Sequence, residues 1–144
     1  RAIVHIDRFN RIDYALQMGR LTTQADAFQP VSVVAERNAM GDPIIEQLER
    51  QGLPVQPFIT TNATKAQVID ALTLAFEKRD IRIIPDPVLI TELQAYEMDR
   101  TPSGMLRYGA PEGMHDDTVI AVALAWWGLV SHKDYPPPRS VKYA

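Results

Sequence analysis

The 144-residue sequence contains no cysteine, which excludes both a disulfide framework and a thiolate zinc site. It has no glycine-rich loop of the GxxxxGKS or GxxxxGKT type, so the phosphate cradle that ATP hydrolysis needs is not housed here. The N-terminal stretch RAIVHIDRF lacks the apolar segment of a secretory signal. The longest nearly unbroken apolar run, Val119–Val130, falls short of the roughly 20 residues that cross a bilayer. Basic charge is also scarce: 15 Lys and Arg stand against 18 Asp and Glu, for a net charge of −3. That balance argues against a generally basic nucleic-acid glove while leaving room for a local basic patch. What is present is ordinary for a globular protein, with 46% hydrophobic and 23% charged residues in a chain of one domain's length.

Periodicity divides the chain into alternating strands and helices. Ala2–Ile6 alternates and reads as a strand, followed by the polar stretch Asp7–Asn10. Asp13–Phe28 carries Tyr14, Leu16, Met18, Leu21, Ala25 and Phe28 at helical spacing, with Pro30 as a stop. Val31–Glu36 is a compact apolar strand. Asp42-Pro43 opens a short helix, with proline at the first helical position and Gly52 closing it. Leu53–Ile59 reads as a third strand, its two prolines placing it at an edge or strand end. Thr64 is the expected N-cap of a helix with Val68, Ile69, Leu72, Leu74 and Phe76 on its apolar face. Ile81–Ile84 reads as a short strand, and Pro87 starts a helix carrying Val88, Leu89, Leu93, Tyr96 and Met98. Thr101–Tyr108 contains a turn signal and reads as a hairpin. This order predicts an α/β domain with a largely parallel sheet over residues 1–130. Residues 131–144, with three consecutive prolines and a basic end, read as a tail in polyproline II.

The chemistry gathers at Met114–Val130, MHDDTVIAVALAWWGLV. Asp116 and Asp117 precede a helix apolar on nearly all sides, which predicts a rigid platform buried in the domain. Two readings of the acids stand together. Asp116 is an N-cap and Asp117 a complement to the helix dipole, or both are ligands of a hard divalent cation. Glu36 ends the strand Val31–Glu36, and working sites of open α/β sheets lie at the carboxyl ends of parallel strands. Three carboxylates there would make an all-oxygen set suited to Mg²⁺ or Mn²⁺, and two such ions can hydrolyse a phosphodiester. Trp126 and Trp127, far along the buried helix, are expected in the core.

Glu36-Arg37-Asn38 with Gly41, then Thr64-Lys65, Glu92-Leu93, and Gly109 with Gly113-Met114-His115-Asp116-Asp117, occur in an order that resembles phage terminase large subunits. The resemblance is to their C-terminal nuclease domain and covers roughly Ala2 to Val130. It implies an RNase H-like (resolvase/integrase-type) mixed sheet flanked by helices, and a metal-dependent endonuclease that cuts concatemeric double-stranded viral DNA. It implies Glu36, Asp116 and Asp117 as catalytic and metal-binding acids, with two Mg²⁺ or Mn²⁺ ions as cofactors. Arg37, Asn38, Lys65 and His115 become candidates for contact with DNA. The expected partners are double-stranded viral DNA, the terminase ATPase domain, the small terminase subunit and the portal, in the host cytoplasm and away from membranes.

The family's pattern begins with a strand bearing a first catalytic aspartate, whereas Ala2–Ile6 resembles its second strand. The expectation is therefore an N-terminally incomplete nuclease, with neither Asp7 nor Asp13 replacing the absent acid. Two other functions fit the same residues: a non-catalytic DNA-binding or motor-docking module, and another RNase H-like nuclease such as a resolvase.

Overall fold

The computed structural model describes residues 1–37, 42–100 and 106–132. Its elements run α1 (Tyr14–Phe28), β1 (Val33–Arg37), α2 (Asp42–Arg50), β2 (Val55–Ile59), α3 (Asn62–Glu77), α4 (Pro87–Ala95), β3 (Glu97–Arg100), β4 (Leu106–Gly109) and α5 (Asp117–Ser131). Local signals in the sequence place most of these. Asp13 caps α1 by accepting from Leu16 N–H, and Asp86 caps α4 by accepting from Val88 and Leu89 N–H, with Pro87 starting the helix. Gly52, at φ +81°, ends α2, and Leu53 N–H reaches back to Leu48 C=O at 3.1 Å. Such a turn favours a residue without Cβ.

Several elements differ from the sequence expectation. The cap of α3 is Thr61, not Thr64. Thr64 sits three residues later and returns a hydrogen bond to Thr61 N–H, closing a capping box. Leu74 of α3 is exposed, and Ala75 fills the core position instead. Helix α4 stops at Ala95, so Tyr96 is its C-cap and Met98 belongs to β3. The expected hairpin begins earlier, pairing Glu97 with Gly109 and Arg100 with Leu106; its turn lies outside the described residues. So do residues 133–144 of the expected tail.

The largely parallel sheet is reduced to a parallel pair, β1 with β2, and a separate antiparallel pair, β3 with β4. Ala2–Ile6 and Ile81–Ile84 meet only in a parallel bridge of Ala2 with Arg82. Ile3 N–H donates to Arg82 C=O, and Arg82 N–H donates to Arg1 C=O, each at 2.8 Å. Their apolar side chains still pack: Ile81 is buried, and Ile3, Ile6 and Ile83 lie against the core. β-branched composition reports a side chain that suits a half-buried extended segment, and packing against helices satisfies that as well as a ladder does. Among the described residues β2 pairs only with β1, which agrees with the edge or strand-end position expected for Leu53–Ile59.

The core forms where α3 and α4 meet α5, with Val68, Leu72, Leu89, Val119, Val122, Ala123 and Trp126 buried. Each such side chain stabilises the fold by about 1.5–3 kcal/mol relative to exposure. Trp127 meets Phe58 of β2 edge-on at 5.4 Å between ring centroids. One stripe of α5 stays open, because Ala121 and Ala125 face a groove of about 790 Å³ across from Ile3–Asn10.

Candidate active site

The acids at the start of α5 are displayed, and neither caps the helix. Asp116 occupies the N-cap position with φ −130° and ψ 17°, yet its side chain makes no capping hydrogen bond. Its Oδ2 instead accepts from Lys65 Nζ at 2.8 Å, in an ion pair with both side chains about a quarter exposed (23% and 24%). The capping reading of Asp116 is thereby corrected. Asp117 opens the first turn, where its charge complements the helix dipole, and it lines the groove together with His115.

The cap is supplied from outside the helix. Glu92 of α4 accepts from Thr118 N–H at 2.8 Å and from the Thr118 hydroxyl. Glu92 is 4% exposed and Thr118 3%, and Arg8 lies 3.9 Å from the other Glu92 carboxylate oxygen. The bond of Glu92 to Thr118 left no sign in the sequence spacing.

Lys65 reaches Asp116 because the Thr61 cap sets the first turn of α3 against the start of α5. Its ammonium also lies 5.9 Å from the Tyr96 ring centroid. Lys65 is thus ion-paired and largely shielded. Gly109 of β4 lies alongside the pair; a Cβ there would make ordinary contacts, 3.8 Å from Asp116 Oδ2 and 3.9 Å from Lys65 Nζ. The Tyr96 hydroxyl is buried without a hydrogen-bond partner among the described residues. Burial, with a further push from the Asp116 charge, holds its phenol neutral far above the usual range. Tyr108 is also raised, first by desolvation and then by Asp70, to which its hydroxyl donates at 3.3 Å.

Glu36 is exposed at the end of β1, opposite Phe58 in register. Among the described residues, no three His, Cys, Asp or Glu side chains lie close enough together to hold a metal ion. The set Glu36, Asp116 and Asp117 is therefore not gathered into one cage. The geometry of α5 gives the reason. The helix meets β1 where Gly128 approaches Val34, about 18 Å along the helix from Asp116, whereas Glu36 lies only about 7 Å along the strand from Val34. Arg37 is exposed beside Glu36, and Asn38 lies outside the described residues.

The acid pair fits a hard divalent ion in its chemistry. Two adjacent carboxylates supply oxygen donors, and Mg²⁺ commonly takes one or two carboxylates while keeping several waters. The ammonium of Lys65 already places a cation on Asp116. Across the groove, Asp7 is held by Arg20, whose Nε donates at 2.9 Å, and by Gln24 at 2.6 Å. These bonds, led by Arg20, keep its carboxyl below the usual carboxylate range. Asp7 is consequently committed to structure, in line with its exclusion on sequence grounds. His5 lies against Phe28, with the rings tilted and their centroids 5.4 Å apart.

No protein-family model matches the chain. The terminase large subunit of Thermus virus P23-45 is 33% identical over 129 residues, covering 87% of this chain and 26% of that protein. The chain thus spans about a quarter of the length of that relative. The large terminase nuclease of thermophilic phage G20c with bound cobalt superposes with a TM-score of 0.80 at 31% identity, over 88% of this chain and 68% of that one. The same nuclease with bound magnesium gives a TM-score of 0.74 at 31% identity, over 82% and 63%. Identity and fold agree over the same stretch that carries the Glu-Arg-Asn and His-Asp-Asp signatures, and this chain belongs to the RNase H-like nuclease-domain family of phage terminase large subunits.

Proposed function

We propose that this chain is the metal-dependent endonuclease domain of a viral DNA-packaging terminase, hydrolysing phosphodiester bonds of concatemeric double-stranded DNA. The observation that carries the reading is the pair Asp116 and Asp117, projected from the start of a buried helix and freed from capping it. Both acids would hold a divalent ion, Mg²⁺ or Mn²⁺, while Glu36 stands apart from them at the end of β1. When bound, such an ion supplies Lewis-acid activation of water and neutralises charge developing on the phosphate. Relatives of the same fold carry magnesium and cobalt.

The chain's own residues do the rest. Burial of α5 fixes the backbone of the acid pair, and Lys65 orients the Asp116 carboxylate through a charge-assisted bond. His115, exposed beside Asp117, would meet a phosphate oxygen. Arg37 would extend the contact to the DNA backbone from the end of β1. The partners are double-stranded viral DNA and, within the packaging motor of the host cytoplasm, the terminase ATPase domain, the small subunit and the portal. No described helix is long and apolar enough to cross a membrane.

A second reading, a non-catalytic DNA-binding or motor-docking module, draws on one observation: Glu36 does not join the acid pair in a ligand cage. Plasmid cleavage with Mn²⁺ separates the two. The nuclease reading expects Mn²⁺ binding, and cutting by this chain or by a form extended at its N-terminus that is lost in a folded Asp116→Ala variant. Absence of cutting and of Mn²⁺ binding in the unaltered chain supports the docking module instead.

A further inference from the structure

Four helices have a described N-cap, and three of them follow one rule. Asp13, Thr61 and Asp86 each accept a hydrogen bond from the first turn of their own helix. The fourth is α5. Its cap-position residue, Asp116, is of the best capping type and still makes no such bond. The first N–H groups of a helix have no partner within it, and leaving them unpaired in a buried place is costly. Thr118 N–H is one of these, and Thr118 is buried. The carboxylate that satisfies it comes from 26 residues earlier, on α4.

Burying a carboxylate is itself costly unless it is well bonded. Glu92 is bonded on both sides: Thr118 N–H and hydroxyl occupy one oxygen, and Arg8 stands near the other. It also places negative charge at the positive end of α5. A residue needed only for packing at this 4%-exposed position would be an apolar one, as Leu89 is one turn earlier on the same helix.

We propose that Glu92 is a positioning residue for the acid pair: it caps α5 from α4 and so releases both aspartates to face outward. The proposal rests on the reading of Asp116 and Asp117 as the working acids. Without Glu92, the nearest acceptor for the Thr118 N–H is the Asp116 carboxylate itself. Capping then draws Asp116 off Lys65 and away from any ion or phosphate.

The test compares the unaltered chain with Glu92→Gln and Glu92→Leu in three measurements: Mn²⁺-supported plasmid cleavage, thermal midpoint, and the ¹³C resonance of the Asp116 carboxylate without metal. Glutamine keeps an oxygen of the same reach, so it should hold the Thr118 bond, the resonance and most of the cleavage. Leucine should lose roughly 10- to 100-fold in kcat, the size typical when a group that orients a ligand is removed, with KM for DNA unchanged and the resonance moved. Should the leucine variant fail to fold, Glu92→Asp replaces it, being charged but one methylene too short, and the same loss is expected. A folded leucine or aspartate variant with a lower midpoint but unchanged kcat and resonance assigns Glu92 a purely structural part and overturns the proposal. If the unaltered chain neither cuts nor binds Mn²⁺, the nuclease reading fails by itself. The carboxylate resonance then still decides the cap: a shift in Glu92→Leu supports it and an unmoved signal refutes it.

Discussion

Lys65 follows a threonine-rich turn and opens a helix, a setting in which lysines are usually solvated. Here its ammonium sits on Asp116 at 2.8 Å, where partial burial makes the pair stronger than one on an open surface. Two consequences follow from the charge alone. Lys65→Met removes the partner of a three-quarters buried carboxylate, and the metal-free protein should lose about 1 kcal/mol, or roughly 2–4 °C in midpoint for a chain of this length. The same substitution leaves the acid pair one charge more negative. The Mn²⁺ concentration that gives half of the thermal stabilisation should therefore fall, since binding to the folded state raises stability by mass action. A Mn²⁺ titration followed by melting checks both at once. An unchanged half-saturating concentration means that the ammonium does not share the ion's place.

At the scale of elements, α5 organises the fold through one close approach and one open stripe. Gly128 lets the helix lie on β1; a Cβ there would come within 2.5 Å of Val34 Cγ2. Valine is stiff about χ1 and cannot swing aside at low cost. Gly128→Ala should consequently destabilise the protein, with overpacking of about 1–3 kcal/mol outweighing the gain of about 1 kcal/mol in helix propensity. Gly19, in the middle of α1, has nothing within 4 Å of its Cβ position. Gly19→Ala should stabilise by about 0.5–1 kcal/mol. Urea unfolding of the two variants gives opposite signs if the packing of α5 on β1 is as described, and equal gains if it is not.

For the molecule as a whole, the ion pair of Asp7 with Arg20 ties the N-terminal segment to α1, and that tie depends on pH. Folding lowers the Asp7 pKa from its ordinary 3.8, chiefly through the Arg20 hydrogen bond. A group lowered on folding contributes stability that is fully present above its unfolded value and is lost as pH falls through its folded one. Stability should therefore hold from neutral pH down to about 4 and decline below it. Asp7→Asn should start lower at pH 7 and converge with the unaltered protein below the folded pKa. Melting curves from pH 7 to pH 2 test this, and parallel curves across that range would show that Asp7 does not carry the effect.

Local signals in the sequence determined much of this protein. Prolines and the terminal Gly52 marked the helix ends, because proline suits only the first turn of a helix and glycine takes the positive φ that ends one. The apolar run Val119–Val130 announced the buried platform, and its order with Glu-Arg-Asn and His-Asp-Asp pointed to the family. Tertiary structure alone decided the rest. Whether Ala2–Ile6 forms a ladder depends on partners that alternation cannot name, and it makes a single bridge. Which stripe of α5 stays open could not be read from a run apolar all round. Lys65 and Asp116 lie 51 residues apart, and Glu92 and Thr118 lie 26 apart. Their pairing is fixed by how α3 and α4 pack on α5, and that packing gives Asp116 to Lys65 and the helix cap to Glu92.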